Sequence, residues 1–432
     1  MSLFFWQERL YADSAYYTFR VINEGKFWVE HHRYILGFSQ FFTLIAVKLH
    51  FPLKTILVLT SVGHVVFFYG IYLWCRYGLQ NPTAGILLLM IQVLGIAQGF
   101  FVPMFELYYA AALIVLFFSI LRKKETPGYI VLSSVLLVII ATAHFNAMLL
   151  FVFFLALHFI ENNYQFRWYY VVFGSVLVGT FLVKSQFQSH YEMAKTQSFL
   201  NNLSIRHFSG KALTSWGVFL MKNYSFPLAI FAWIVYVMLQ KKKIVLAWVY
   251  MIGVLSFLAM AHISHPELIH TRYQEQVYFA FCFAVGWAAV LIWPHIKSTT
   301  KNTFIFAIFS VGIVSILWAS KTFVGRTKEM NSLVERSLEN PAQSKWVVNQ
   351  NQLMYETNWS YPIETMLYSS AIKKKTITIC TLEDVEYNEN GKKLVDDNYL
   401  FRKWELYDQK SLNREYFELS QQPYKPISLP NK

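Results

Sequence analysis

The sequence predicts an all-α polytopic membrane bundle of about ten transmembrane helices. Interfacial helices in a first outer loop and a small mixed α/β C-terminal segment complete it. Three observations carry this reading. The chain has 432 residues and is 55% hydrophobic but only 15% charged, against roughly 25% charged in ordinary soluble domains. The acids are unevenly spread: residues 1–320 hold ten Asp and Glu, and the last 112 hold the other fifteen. So long a stretch with so few acids cannot present a wet surface, and it fits a bundle whose outside is lipid. Finally, Lys and Arg fall between the apolar runs, as the positive-inside rule expects. The first 320 residues carry 22 basic side chains and the remainder 16. The net charge of +13 therefore belongs to the membrane part and argues for no nucleic acid partner.

A spanning helix needs about 20 mostly apolar residues. Candidates lie at 54–76, 83–100, 104–121, 128–143, 145–160, 168–184, 216–239, 243–262, 274–294 and 302–320. Arg122-Lys123-Lys124 and Lys241-Lys242-Lys243 mark the cytoplasmic side, with an even number of spans between them. The opposite, extracytoplasmic face then holds residues 1–53, the turn at 101–103, the turn at His144, loops 185–215 and 263–273, and the tail. Segment 34–49 is apolar but short, and its flanks Arg33 and Lys48 suit a helix lying in the outer interface. Met1–Trp6 looks like the last turns of a hydrophobic helix, so either a further span precedes it or these residues sit at the interface. The domain plan is an outer loop at 1–53, a bundle at 54–320 and a soluble extracytoplasmic segment at 321–432. Within that segment a helix is expected near 326–340, a strand over Thr376–Leu382 and a turn at Asn388-Glu389-Asn390-Gly391. The location implied is the inner (plasma) membrane.

Ionisable groups within or beside spans are expensive, which makes them candidates for function. Glu106 opens an apolar helix at its outer end. It reads either as a helix-start carboxylate favoured by the dipole or as a ligand or substrate contact in an outer cavity. Asp13 is the only Asp in the first 320 residues. It reads as an N-cap or as a general base on the same face. Together the two make a plausible acid/base or metal pair, with Glu8 as a weaker third member. His262, His265, His270 and Arg272 crowd one outer loop, a grouping that suits a phosphate because Arg offers fixed multi-donor geometry. Their spacing matches no compact zinc motif. His144 sits in another outer turn. His64 and His158 lie inside apolar runs and read as packing or interhelical hydrogen-bond groups. Cys75, Cys282 and Cys380 are far apart, which suggests neither zinc nor disulfides. No Gly-rich phosphate loop or GxSxG elbow is present, which argues against ATP-driven chemistry.

The order of these features resembles the GT-C superfamily of membrane glycosyltransferases, which use polyprenyl-phosphate-linked sugars. Asp13 in ERLYADSAYY matches an acid in a first outer loop. Residues 18–53 match interfacial helices of that loop. Glu106, on a helix that ends in Arg122-Lys123-Lys124, matches a second acid, and Arg272-Tyr273 before an apolar helix matches an Arg-Tyr pair. The resemblance implies inverting glycosyl transfer on the extracytoplasmic face to a glycan, lipid or protein acceptor. It casts Asp13 and Glu106 as the catalytic pair and as ligands of a divalent cation, Mg or Mn. Arg272, His270, His144, Tyr273 and Glu8 become substrate-binding groups, with Arg272 and one of the two histidines neutralising the lipid phosphate. Two other classes compete. A polysaccharide polymerase or O-antigen ligase would lean on the His/Arg loop rather than on Asp13. A lipid-linked sugar transporter or flippase would show broken helices and paired repeats.

Overall fold

The computed structural model describes residues 1–123, 126–355, 359–381, 399–402 and 406–427. The expected turn at 388–391 lies outside them, as do Lys124 and Leu382. The described residues are mostly helical. Two short helices lead, the amphipathic α1 (Asp13–Glu24) and the apolar α2 (Leu36–Lys48). Ten further helices follow: α3 (Leu53–Leu73), α4 (Pro82–Met90), α5 (Glu106–Leu121), α6 (Pro127–Ala143), α7 (Phe145–Glu161), α8 (Trp168–Gln186), α9 (His190–Asn201), α10 (Gly210–Gln240), α11 (Ile244–Ser264) and α12 (Arg272–Leu291). Then come α13 (Ser298–Leu338) and, in the C-terminal segment, α14 (Tyr361–Lys373).

Five helices are long and apolar enough to cross a membrane: Leu53–Gly78, Trp168–Gln186, Gly210–Gln240, Ile244–Ser264 and Ser298–Leu338. Their outer faces behave as lipid contacts should. Val183 is 61% exposed, and Phe306 and Trp318 are each 74% exposed. Continuous apolar surface of this kind is rarely left to water. In contrast α5 and α12 are buried along nearly their whole length and form the central core. Helices α5, α6 and α7 have 16 or 17 residues, shorter than the ~20 that a straight span needs.

One expectation is corrected. The span at 83–100 is not continuous. Helix α4 stops at Met90, and a single 3₁₀ turn forms at Gln98–Phe101. Gly95 takes φ +71°, and a Cβ there would stand 2.2 Å from Cys282 Sγ, so only glycine fits. The N–H groups freed by the break are gathered by one buried carboxylate. Glu275 accepts from Ala97 N (3.0 Å), Gln98 N (3.0 Å) and Gly99 N (2.7 Å). The helix expected near 326–340 is present. It is the end of the 41-residue α13, because Ser320-Lys321-Thr322 contains nothing that stops a helix.

The C-terminal segment is mixed α/β. Strand β1 (Lys345–Val348) leads through α14 to β2 (Thr378–Thr381), which pairs parallel with it in the register Lys345↔Thr378. Strands β3 (Tyr399–Arg402) and β4 (Leu406–Asp408) pair antiparallel, and β5 (Lys425–Pro426) joins β1. The segment does not stand apart. One core holds Trp6, Phe19 and Ile22 with Met104, Ile363, Leu367 and Phe417. Asn23 donates to Tyr407 Oη at 2.6 Å, and Asn413 N donates to Asn23 Oδ1 at 2.7 Å.

The stapled break makes a direct prediction. Glu275→Ala leaves three enclosed N–H donors without a partner, each costing about 1–3 kcal/mol. Its unfolding midpoint in detergent should fall strongly, with a smaller fall for Glu275→Gln, which keeps one acceptor oxygen. An unchanged midpoint for the alanine variant would show that the carboxylate does not hold the break.

Candidate functional site

The site forms where the leading ends of α1, α5 and α12 meet the α6–α7 turn and α9. The turn before α1 sets its first member. Ala12 takes φ 53°, ψ −121°, a left-handed conformation that costs a non-glycine residue about 1–3 kcal/mol. Asp13 is therefore the first residue inside α1 rather than its N-cap. It is half-buried.

Glu106 opens α5 as expected, and it is 8% exposed. Its partner is Arg33, whose Nη1 lies 2.9 Å from Glu106 Oε1. Arg33 also faces Glu192 of α9 at 3.7 Å, and Lys184 at the end of α8 faces the same carboxylate at 3.6 Å. Two acids and two bases thus neutralise one another. Arg33 sits 6.0 Å from the ring of Tyr191, which stacks on His31 at 4.7 Å.

Asp13 and Glu106 act on the same side chains. Tyr17 is held well above its ordinary phenol range by burial first, then by the charges of Glu30, Glu106 and Asp13, with Arg33 opposing. Tyr191 is also raised, by burial chiefly. Arg33 opposes there, and Asp13, Glu106 and Tyr273 add to the rise. Arg272 and Tyr273 also interact with the charge of Asp13. So Asp13, Glu106, Arg272 and Tyr273 share one neighbourhood. Tyr273 is 39% exposed and accepts from Arg272 Nη2 at 2.8 Å. The Arg272 guanidinium lies 4.2 Å from the ring of Tyr11, whose environment also includes Arg326 at 4.5 Å.

His144 belongs to the same group. Its ring accepts from Asn146 N at 3.1 Å and caps α7. Burial, then the positive charge of Arg33, pushes it down to about 4 despite the opposing pull of Glu106. It is a neutral imidazole at pH 7. His270 is set back toward the helix break. Its Nε2 lies 3.4 Å from Glu275, and its carbonyl and Nδ1 receive Gln98 Nε2 at 3.0 and 3.3 Å. Burial, and then Lys222, lowers it. Glu8 lies in the turn that precedes α1. Burial raises its carboxyl, opposed by a hydrogen bond from its own backbone. His262 stacks on Trp216 at 4.7 Å and bonds to His207 O at 3.0 Å, as a packed histidine would.

The opposite end of the bundle carries a separate pocket. Asn81, Ser119, Arg122, His158, Glu161 and Trp287 line it. The ends expected to be cytoplasmic therefore converge there, as the ends expected to be outer converge on Asp13 and Glu106.

Residue-type reasoning did not single out Arg33 as the partner of Glu106, nor Glu192, Lys184 and Glu275. Each is a charged residue in or beside an acid-poor apolar stretch, and that was their available signal. The donor set around Asp13 and Glu106 is small. No group of three or more His, Cys, Asp or Glu poised for a metal exists among the described residues. Asp13 would be the protein ligand of a divalent cation, since Arg33 already neutralises Glu106. Water and substrate phosphate oxygens would complete such a shell, as is common for Mg²⁺.

No family model, no curated protein and no solved structure matches this chain.

The neutral His144 carries a pH consequence. Its folded pKa lies below the ordinary histidine value of about 6.5, so the unfolded chain binds the proton more readily. The associated stability is present above pH ~6.5 and is lost as pH falls toward 4. His144→Asn keeps a capping oxygen but cannot titrate. Thermal unfolding between pH 7 and 4.5 should show a shallower acid loss in that variant. Equal slopes would place the acid sensitivity elsewhere.

Proposed function

We propose that this protein is a polytopic inner-membrane glycosyltransferase of the GT-C kind. It moves a sugar from a polyprenyl-phosphate donor to an acceptor hydroxyl on a glycan, lipid or protein at the extracytoplasmic face. In this reading about ten apolar segments traverse the bilayer, the α4 hairpin and short helices among them. Arg122 and Lys241–Lys243 lie inside, and the C-terminal segment lies outside. One observation carries the proposal: Asp13 and Glu106, 93 positions apart in sequence, act on the same tyrosines, with Arg272 beside them.

The chemistry follows from the side chains. The half-exposed Asp13 carboxylate takes the proton of the acceptor hydroxyl while its oxygen attacks the anomeric carbon. The new C–O bond forms on the face opposite the phosphate, and the bond to the phosphate oxygen breaks with its electron pair. The configuration inverts. Arg272, held flat by Tyr11 and Tyr273, neutralises the leaving phosphate, since an enclosed guanidinium stabilises developing charge far better than water does. Glu106 fixes Arg33, and the pair shapes the wall behind the acceptor. His144, being neutral, contributes a hydrogen bond rather than a charge. Tyr273, the exposed ring of the group, supplies aromatic surface for a sugar face. Any divalent cation would add its charge near Asp13, and no step above depends on it.

The interrupted helix after Met90 favours a second reading, a lipid-linked sugar transporter or flippase, because broken helices mark substrate paths in such proteins. The two readings differ in covalent outcome. In membranes supplied with a radiolabelled polyprenyl-phosphate sugar, a transferase yields labelled product and free lipid phosphate. A transporter moves the donor intact.

Asp13→Asn should lower turnover by about 10²–10⁴-fold, the usual worth of a positioned general base. Glu106→Gln should lower it at least about tenfold, because Arg33 is left with a weaker partner. Full turnover in both variants would end the assignment.

A further inference from the structure

The C-terminal segment reaches into the turn that carries Asp13. Glu364 of α14 is 2% exposed, and its Oε1 accepts the backbone N–H of Ala12 at 3.1 Å. Ser360 donates to the same oxygen, and Arg326 of α13 donates to the other. Arg326 also covers one ring contact of Tyr11, and Phe323 packs edge-on to that ring at 5.3 Å. Arg272 covers Tyr11 as well. Residues 11 and 12 are thus clamped by α12, α13 and α14 at once. The clamped peptide is the one with the unfavourable backbone. Ala12 holds φ 53°, a conformation that alanine adopts only where its surroundings over-determine it. Asp13 is the next residue.

We infer that Glu364, oriented by Arg326 and Ser360, is a positioning residue for the Asp13 carboxylate. Through it the C-terminal segment sets the reactive geometry of the N-terminal turn. The role in turnover rests on the glycosyl-transfer reading above, but the clamp itself does not. A carboxylate accepting a backbone N–H makes a charge-assisted bond, stronger than a neutral one. Here that bond holds the Ala12 peptide against its own preference and so fixes where α1 begins. The C-terminal segment is then part of the site, not an appendage to the bundle.

The test uses the full chain in detergent or reconstituted vesicles. Glu364→Ala should raise amide hydrogen exchange in the 10–16 region about tenfold, the factor carried by one lost charge-assisted bond. Exchange in α5 should stay as in wild type. Turnover should fall about tenfold in kcat, with the donor KM within about twofold. Ala12→Gly supplies the control that a bulk structural role would not pass. Glycine adopts the required backbone freely, so Ala12→Gly in the Glu364→Ala background should recover at least half of the lost kcat and much of the protection. Glu364→Gln retains an acceptor oxygen and should lie between. It replaces Glu364→Ala in each comparison should that variant fail to fold. Unchanged exchange at 10–16, or no recovery with Ala12→Gly, overturns the inference. Wild-type protein that transfers no sugar overturns the enzymatic reading instead, and the exchange measurements still decide the clamp.

Discussion

Inside an apolar slab every backbone N–H and C=O must find a partner within the protein. The same holds in any apolar core, and where the chain leaves helix α4 the structure meets that constraint with Glu275. Three consecutive N–H groups converge on that carboxylate. The remainder of the site depends on this arrangement. The break lets residues 91–105 turn across the bundle, so that α5 can start with Glu106 beside Arg33. It also ties the start of α12 to the same corner, which sets Arg272 and Tyr273 facing Asp13. A single buried acid thus fixes the relative placement of two helix starts that are far apart in sequence.

Charge balance is the second organising principle. Isolated charges at such depth would be costly, and the site contains few of them. Arg33 and Lys184 answer Glu106 and Glu192, and Arg326 answers Glu364. Arg272 is buried against the rings of Tyr11 and Tyr273, and Asp13 is half-buried. A site built this way keeps its walls close to neutral.

The apolar elements were legible from the sequence because lipid exposure demands long apolar runs regardless of what they pack against. Helices α3, α6, α7, α8, α11 and α12 begin and end within a few residues of where the runs do. The helix break was not legible, because it is decided by a carboxylate about 175 residues further along. The continuity of α13 was hidden by a change of composition near residue 320, which alters what surrounds a helix without stopping it. In the site, Asp13, Glu106 and Arg272 stood out as charges beside apolar runs. Arg33, Glu364 and Arg326 did not, since their importance lies in long-range pairs. His144 and His270 stood out too, but only burial decides that they are not resident cations at neutral pH.

Helix α13 has 41 residues, about 60 Å at 1.5 Å per residue, roughly twice the hydrocarbon thickness of a bilayer. Its first half carries the exposed Phe306 and Trp318, and its second half carries Arg326 and the contacts to α14. A continuous helix transmits angular phase as well as distance. Each residue inserted between Trp318 and Arg326 rotates everything beyond it by about 100°. A one-residue insertion would therefore swing Arg326 away from Tyr11 and Glu364 while leaving both halves of the helix intact. Length in this short stretch is constrained as gear teeth are: only changes near a whole number of turns keep the two ends of the molecule in mesh.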